Sequence, residues 1–235
     1  MSQSATAGPK RSHADSRREP RLNKARRIEA LLRLVSPDLE SKDLLDVGTG
    51  SGIIASYFAQ RVGSLQSVDV IDERVEIDFA FDLIDSEQLP YEGARFDIAI
   101  SNHVIEHVDD PRLHLAEIAR VLRPGGYCYL ATPNLLWPIE PHFRLPFLAW
   151  LPTQELRNSY VTLLRRGVRY DARLLTHGEL VKLADHAGLQ HQDMSLQLTT
   201  LVFKTRFGID AAALRHFWPA ARLIMPSLVT VLSKS

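Results

Sequence analysis

A glycine-rich turn behind a short apolar segment is the feature that most restricts what this chain can fold into. Residues 44–47 read Leu-Leu-Asp-Val, and residues 48–52 read Gly-Thr-Gly-Ser-Gly. The apolar run predicts a buried strand, and the residues after Gly52 predict a helix. Glycines let the backbone approach a ligand closely, and the first turn of a helix offers free N–H groups. The segment predicts a strand, a turn and a helix in succession, although such a turn alone fits a dinucleotide, a phosphate or no ligand.

The rest of the chain continues this alternation of strands and helices. Alternation predicts a parallel sheet covered on both faces, with the carboxyl ends of its strands at one edge, where ligands bind. We expect an α/β fold, namely a Rossmann-like, doubly wound sheet of seven strands that is mostly parallel and has an antiparallel last strand. The pattern predicts further strands at 67–70, 79–84, 96–100, 127–132, 189–196 and 226–232, and helices at 22–35, 52–60, 111–122 and 176–187.

The chain is expected to form one domain with two additions. Residues 1–20 are polar and basic without periodicity, and we interpret them as a disordered arm ahead of a single domain that spans residues 21–235. Residues 133–175 interrupt the alternation and are rich in proline and aromatic residues. They are too long for a simple connection, so we expect a lid, inserted after the fifth strand, that helps to form an apolar acceptor pocket.

Composition narrows the classes of function. The 28 Lys and Arg residues balance 28 Asp and Glu residues, so binding of nucleic acid is not expected. The single cysteine, Cys128, cannot form an internal disulfide, which fits a reducing compartment. No signal peptide or membrane-spanning stretch is recognisable, so a cytoplasmic location is expected. The basic face of the helix at 22–35 still permits a peripheral contact with an anionic membrane surface.

Asp46, within the apolar run before the turn, indicates the charge of the ligand. A carboxylate beside a pyrophosphate would cost about 1 kcal/mol or more, whereas it would attract a cation. The spacing Gly-x-Gly-x-Gly differs from the dinucleotide fingerprint, and the turn lacks the Gly-Lys-Ser/Thr ending of a phosphate loop. The turn therefore fits a positively charged ligand without phosphate. S-adenosylmethionine, with a sulfonium and an ammonium group, is such a ligand.

Polar residues also end the next three predicted strands. Asp69 lies near the end of the second strand, where an acid in this class of fold accepts hydrogen bonds from ribose hydroxyls, and Asp72 is the alternative if the strand is longer. Asp85 and Ser86 follow the third strand, where they could read an adenine edge. Residues 101–103 (Ser-Asn-His) follow the fourth.

Four segments, taken together and in this order, resemble the class I S-adenosylmethionine-dependent methyltransferases that act on small molecules. They are residues 44–52, residues 85–90 followed by Phe96 and Asp97, residues 101–108 and the segment Arg-Val-Leu-Arg-Pro-Gly-Gly at 120–126. The matching motifs cover residues 43–133, and the resemblance implies that the fold extends to the end of the chain. One departure is the short span from Asp69 to Phe79, where the family usually has a full helix that bounds the adenine pocket.

The resemblance implies S-adenosylmethionine as cofactor and a role for several residues at the ends of the predicted strands. Asp46 and the glycine turn would hold the methionine part, Asp69 the ribose, and Asp85 with Ser86 the adenine. The three residues after the fourth strand would line the floor below the methyl group. The residues assigned in this way are Asp46, Gly48, Thr49, Gly50, Gly52, Asp69, Asp85, Ser86, Ser101, Asn102 and His103.

Two histidines are the catalytic candidates. Methyl transfer to a hydroxyl requires loss of the acceptor proton, and histidine is the usual base near neutral pH. His107 is the first candidate, and His142, in a proline-stiffened part of the lid, is the second. His103 and His107 could share a helical face with the spacing of a metal site. No third ligand is near in the sequence, so no metal is expected.

The function expected from these residues is transfer of a methyl group to a small or lipid-linked acceptor, at oxygen. Methylation of RNA or protein is an alternative, because residues 10–27 are strongly basic. A nicotinamide-dependent oxidoreductase is a second alternative, against which Asp46 and the glycine spacing argue. A regulator that keeps the fold without activity is a third, against which the intact turn argues. The acceptor and the oligomeric state remain undetermined by the sequence.

Overall fold

The computed structural model describes residues 18–165, 169–208 and 225–235, which form a sheet with helices on both faces. The helices are α1 (Arg18–Val35), α2 (Ile53–Ala59), α3 (Pro111–Val121), α4 (Gln154–Arg165), α5 (His177–His186) and α6 (Ser195–Phe207). The strands are β1 (Asp43–Val47), β2 (Ser64–Asp69), β3 (Ala80–Leu83), β4 (Phe96–Asn102), β5 (Leu122–Pro133), β6 (Ile139–Glu140), β7 (Leu145–Pro146), β8 (Leu189–Asp193) and β9 (Ser227–Lys234).

Seven strands build one sheet in the order β3-β2-β1-β4-β5-β9-β8. Neighbouring strands from β3 to β5 are parallel, and β9 is antiparallel to both β5 and β8. The expected Rossmann-like α/β sheet is therefore confirmed, with its antiparallel last strand inserted between β5 and β8. The strand order reverses between β1 and β4, which is the place where ligands bind at the carboxyl edge of such sheets.

Apolar side chains fill both sides of the sheet. On one side Ile28 of α1 and Phe58 of α2 belong to the same buried cluster as Ile100 of β4. On the other side Leu115 of α3 and Leu180 of α5 belong to a second cluster. Burial on both faces explains why these strands are continuous apolar runs rather than alternating ones. Within the described chain, none of the helices combines the length and the apolar character that crossing a bilayer requires.

Two helices begin where their local sequence predicts. The Asp110 carboxylate accepts hydrogen bonds from the N–H groups of Arg112 and Leu113, at 2.9 and 3.2 Å, and so caps α3. Thr176 and Glu179 form the predicted capping box at the start of α5. Both caps begin helices that pack in the same buried cluster on one side of the sheet.

Several other elements differ from the sequence prediction, and strand β5, for example, begins at Leu122 rather than at residue 127. Helix α1 begins at Arg18 rather than at residue 22, so residues 18–20 of the expected arm are helical, whereas residues 1–17 lie outside the described chain. The strand expected at 189–196 ends at Asp193, and α6 follows. The Asp193 carboxylate accepts a hydrogen bond from the Ser195 N–H at 2.9 Å, which turns the chain into the helix. Apolar residues are distributed all around α6, so its sequence lacks the three- and four-residue spacing of apolar residues that predicts a helix.

The segment 133–175 leaves the sheet after β5 and returns beside its own starting point. It contains the β6–β7 hairpin and α4, and the N–H of Leu135 donates to the carbonyl of Leu175 at 2.9 Å. Residues 166–168 within it are outside the described chain. We call this segment the lid. Its buried apolar side chains form a cluster of their own, which contains Phe143, Leu145, Leu148, Ala149, Val161, Tyr170, Ala172 and Leu174.

The Leu-Arg-Pro-Gly-Gly segment lies at the amino end of the sheet, away from the carboxyl edge. The guanidinium of Arg123 contacts Asp97 at 2.7 Å and Asp43 at 2.9 Å, and so joins the beginnings of β1, β4 and β5. A Cβ on Gly126 would lie 2.9 Å from the carbonyl oxygens of Arg123 and Asp97, so glycine permits this close contact. The motif that supports the family resemblance at this end of the sheet therefore has a structural role.

Candidate active site

The turn after β1 places three glycines with left-handed backbone at the carboxyl edge of the sheet. The φ angles of Gly48, Gly50 and Gly52 are 80°, 52° and 77°, a region that favours glycine. A Cβ on Gly48 or on Gly52 would collide with neighbouring protein atoms. Among the described residues, a Cβ on Gly50 would approach just the Arg21 guanidinium, at 3.9 Å. Two of the glycines therefore allow the chain to pack on itself, and Gly50 borders open space.

Asp46 is almost completely buried below this turn. Its side chain is 4 % exposed, and its Oδ2 accepts a hydrogen bond from the Ser67 hydroxyl at 3.1 Å. Burial and, to a smaller extent, the charge of Asp69 raise the pKa of Asp46 to about 7, against the opposing effects of the Ser67 hydrogen bond and of Arg21. Thr49 is also buried, and its hydroxyl is hydrogen-bonded to that of Ser67. A cationic group beside Asp46 would favour its ionised form, so the turn fits a cationic ligand without phosphate.

Asp69 ends β2 directly beside the glycine turn. Its Oδ2 accepts a hydrogen bond from the Gly50 N–H at 2.8 Å, and its Oδ1 accepts one from the Val70 N–H at 2.7 Å. Asp72, the alternative, instead forms a two-pronged ion pair with Arg74 at 2.8 and 2.9 Å, which lowers the pKa of Asp72 to about 2. The structure thus brings Asp69 to the turn and leaves Asp72 bound to its own neighbour.

Asp85 and Ser86 follow β3 at the same edge. Asp85 is exposed and accepts a hydrogen bond from the Ser86 hydroxyl at 3.2 Å. No helix connects β2 to β3, so the departure noted in the sequence is real, and Val75 and Ile77 of this connection are 62 % and 72 % exposed. The two polar residues are accessible, and their contact with adenine stays a prediction.

Ser101 and Asn102 end β4 in the middle of the sheet. The Ser101 side chain is fully buried, and its hydroxyl lies 3.0 Å from Nε2 of His114. Burial lowers the pKa of His114 to about 4, so this imidazole is neutral near pH 7. Ser101 can therefore offer a ligand its backbone but not its hydroxyl, whereas Asn102 is half-buried.

The residues after β4 form a turn, not the helix considered for His103 and His107. His103 has a left-handed φ of 60°, and residues 105–107 are a turn that ends well before α3. A left-handed residue cannot continue a right-handed helix, so the two histidines do not share a helical face. Instead, Nδ1 of His103 lies 3.1 Å from Oε1 of Glu106.

His107 meets His142 of the lid. The two rings are 5.1 Å apart and nearly perpendicular. Nδ1 of His142 lies 2.5 Å from Oε1 of Glu140, whose other oxygen accepts a hydrogen bond from the Phe143 N–H at 2.7 Å. Burial favours a neutral imidazole, but the hydrogen bond and the charge of Glu140 prevail and raise the pKa of His142. The two catalytic candidates, 35 residues apart in sequence, are therefore neighbours in space.

Glu106 connects this pair to the sheet. It is fully buried, and its Oε2 accepts a hydrogen bond from the Thr132 hydroxyl at 3.0 Å. Burial would raise the pKa of Glu106, but the hydrogen bond from His103 and the neighbouring imidazoles lower it. One ligand atom each from Glu106, His107 and His142 lie within 4.8 Å of one another. This group differs from the pair considered in the sequence, since His103 is not among its three members and the lid contributes His142.

Sequence reasoning assigned no site role to Arg21, Glu106 or Thr132. Arg21 was one of several basic residues on α1, and only its approach to Gly50 distinguishes it. Glu106 stands beside His107 in the sequence, and an acid adjacent to a candidate base was a usable signal. Thr132 lies within the apolar strand β5, where nothing in the sequence pattern indicates a site residue.

Comparison with known proteins agrees with this geometry. A family model described as a methyltransferase domain matches residues 17–191. The ubiquinone biosynthesis O-methyltransferase of Coxiella burnetii is 26 % identical over 167 residues, which are 67 % of this chain and 67 % of that protein. These matches remove the nicotinamide-dependent oxidoreductase from the alternatives.

Solved structures show the same fold. An S-adenosylmethionine-dependent methyltransferase from Mesorhizobium loti superimposes with a TM-score of 0.62 at 15 % identity, over 91 % of this chain and 100 % of that chain. Phosphoethanolamine N-methyltransferase 2 of Haemonchus contortus, in complex with S-adenosyl-L-methionine, has a TM-score of 0.57 at 18 % identity, over 90 % of this chain and 52 % of that chain. The family model covers well over half of the chain, so this protein belongs to the methyltransferase domain family and is an S-adenosylmethionine-dependent methyltransferase.

Proposed function

We propose that this enzyme methylates a hydroxyl oxygen of a small or lipid-linked acceptor. The observation that carries the proposal is the pair of half-buried imidazoles, His107 and His142, which are backed by the buried carboxylates of Glu106 and Glu140. A hydroxyl is a weak nucleophile until its proton leaves, and carboxylate-held imidazoles promote that loss. A thiolate or a carbanion needs less help. Oxygen also agrees with the name of the curated relatives, ubiquinone biosynthesis O-methyltransferase.

The cofactor supplies an already activated methyl group when bound, so the protein has to position the two reactants and exclude water. Asp46 offers its negative charge to the methionine part, and the open face of Gly50 lets that part approach the backbone. The guanidinium of Arg21, beside Gly50, suits the carboxylate of the methionine part. The remaining contacts that we propose are Asp69 with the ribose, Asp85 and Ser86 with the adenine, and the backbone of Ser101, Asn102 and His103 below the methyl group.

A lipid-linked acceptor is supported by the outer surface of the lid. Phe147 and Trp150 are 54 % and 50 % exposed, and their rings lie 5.0 Å apart. Aromatic side chains are favoured at the interface of a bilayer, where such a pair would add buried apolar area. We expect the protein to float with vesicles of anionic phospholipid, and F147S/W150S to float less. If the wild-type protein does not float with the vesicles, the lipid-linked acceptor loses this support, and a small, water-soluble acceptor is favoured.

The experiment that tests the reaction uses S-adenosylmethionine with an isotopically labelled methyl group. The purified protein is incubated with phenols, catechols, amines, thiols and carboxylic acids, each with and without a long alkyl chain, and the products are identified by mass spectrometry. We expect a labelled methyl ether. The Gly50→Val variant, which should not bind the cofactor, is the control for label transferred without catalysis.

The outcome that contradicts the proposal is label on nitrogen or sulfur. Label that enters RNA or protein and no small acceptor would favour the macromolecular alternative. A preference for the acceptors with alkyl chains would support the lipid-linked class.

A further inference from the structure

We infer that Glu106, His107 and His142 form a binding site for a divalent transition-metal ion between the lid and the sheet. Each of the three residues offers one ligand atom, and the three atoms lie within 4.8 Å of one another. Two imidazoles and one carboxylate are a donor set that suits zinc and its neighbours, with positions left open for water or a substrate oxygen.

Outer hydrogen bonds orient two of the three ligands, His142 and Glu106, as a metal site requires. Nδ1 of His142 is held by Glu140 at 2.5 Å, which leaves Nε2 of that ring as the donor for a metal. Glu140 is fixed in turn, because its second oxygen accepts the Phe143 N–H at 2.7 Å and its side chain is buried. A histidine ligand whose other nitrogen is bound to a carboxylate is a recurrent feature of metal sites, where it sets the ring orientation.

Glu106 is held equally firmly on the side of the sheet. One oxygen lies 3.1 Å from Nδ1 of His103, and the other accepts the Thr132 hydroxyl at 3.0 Å. A carboxylate has about four lone-pair sites, so both oxygens keep one for a metal. A fully buried carboxylate has to be compensated by a positive charge or hydrogen bonds, and a cation would complete the two hydrogen bonds it has.

The charge around the three ligands favours a cation. Glu106 and Glu140 bring two carboxylates to two imidazoles, and Asp171 adds a further negative charge near His142. A dication would balance the two buried carboxylates and would tie the lid to the turn after β4.

The inference deepens the proposed function, since a cation at this position would bind the acceptor oxygen and lower its pKa. The two imidazoles would then promote loss of the proton through the ion. A hydroxyl with a second oxygen beside it, as in a catechol, could occupy two open positions at once.

Cation binding is tested with Co²⁺, whose visible absorption reports the number and type of its ligands. The full-length protein is first dialysed against EDTA and then titrated with Co²⁺ alone, followed by Zn²⁺ as a competitor. We expect one Co²⁺ per chain, displaced by Zn²⁺. The Glu140→Gln variant should bind about 10- to 100-fold more weakly, as outer-shell variants do. His142→Ala should bind more weakly still, and His186→Ala, an exposed histidine on α5, should bind as wild type does.

The inference is overturned if wild-type protein binds no Co²⁺, or if His107→Ala and His142→Ala bind it as wild type does. Because Glu106→Gln risks a defect in folding, the lid variant His142→Ala decides the matter, with near-ultraviolet circular dichroism to verify its fold. Neither cofactor nor acceptor is present in the titration. If the protein binds Co²⁺ but does not methylate oxygen, the metal site is supported and the proposed function is wrong. If the protein methylates oxygen but binds no Co²⁺, the proposed function is supported and the metal site is wrong.

Discussion

The two ends of the sheet use the same kinds of residue in opposite ways. At the amino end, Asp43 and Asp97 share the guanidinium of Arg123, so each carboxylate has a cationic partner within the protein. At the carboxyl end, Asp46 is buried with one hydroxyl as hydrogen-bond donor, next to a turn whose central glycine, Gly50, faces open space. The first arrangement is complete without a ligand, whereas the second gains from one.

Two aspartates of β1 show the contrast most directly. Hydrogen bonds from Ser64 and Arg123 hold the pKa of Asp43 below its ordinary value. Burial raises the pKa of Asp46 to about 7. The two residues are three positions apart on one strand. Two aspartates on the same strand therefore need not have the same role, because the groups around each carboxylate decide whether it stabilises the fold or binds a ligand.

The largest effect is expected from Gly50→Val. The new side chain fills the space that the cofactor needs, so we expect its affinity to fall by more than about 1,000-fold, the equivalent of roughly 4 kcal/mol. Isothermal titration calorimetry with S-adenosylmethionine measures this loss. Gly188→Val is the matched control, since Gly188 also has a positive φ of 70° but is surrounded by open space outside the site. Equal losses in both variants would mean that backbone strain, not ligand space, is responsible.

The next effect concerns the acceptor side of the same edge. His107→Ala and His142→Ala should each leave the affinity for the cofactor within about twofold and lower turnover by about 100-fold, the usual size of a proton-transfer contribution. Initial rates with the acceptor found by the label screen, together with calorimetry, separate the two quantities. A loss of cofactor affinity as large as the loss of turnover would place the histidines on the cofactor instead.

Cofactor affinity should depend on pH through Asp46. In the free protein the pKa of Asp46 is about 7, and a cation beside it favours the ionised form, so affinity should rise with pH and level off above 7. Below that value the loss approaches about tenfold per pH unit, because binding has to expel one proton. Calorimetry between pH 5.5 and 7.5 gives the slope. Asp46→Asn should bind more weakly at pH 7.5 and show no slope, and a slope that persists would assign it to another group.

The same shift predicts the opposite trend for the free protein. The folded pKa of Asp46 lies above the ordinary value of 3.8, so ionisation costs stability as pH rises from about 4 to about 7. Asp46→Asn should remove this part of the pH dependence of thermal unfolding without ligand.

The smallest effect is expected at the amino end. Arg123→Met should lower the free energy of unfolding by about 1 kcal/mol, since the Arg123 side chain is 39 % exposed and solvent screens its ion pairs. Cofactor affinity should not change. Urea unfolding and calorimetry on the same sample test both statements, and weaker cofactor binding would show that the two ends of the sheet are coupled.

Sequence reasoning could predict that the proposed cofactor-binding residues share one edge of the sheet, because each of them lies at or near the end of a strand. The glycine turn, Asp69 and residues 101–103 end successive strands, and the rules for parallel sheets place strand ends at one edge. Ser101 shows the limit, since a polar residue at a strand end was expected to face the ligand. Its hydroxyl is instead paired with His114, which no local pattern could reveal.

The acceptor half was less accessible because it is assembled across a long interval of sequence. His107 and His142 were both recognised as single candidates, but their contact depends on how the lid folds back. The apolar residues of the lid have no regular spacing in the sequence, and the fold of the lid depends on the cluster that these residues form in space. Glu106 could have been suspected from its place beside His107, but its approach to His142 depends on the same fold of the lid.

The hydrogen bond between Leu135 and Leu175 has a consequence for how such enzymes diversify. The two ends of this segment are joined, and its apolar residues form a cluster of their own. Such a segment can change in sequence without a change in the sheet that carries it. Under the proposed function, exchange of this segment between related enzymes would change which acceptor binds, while the residues proposed for the methyl donor stay unchanged.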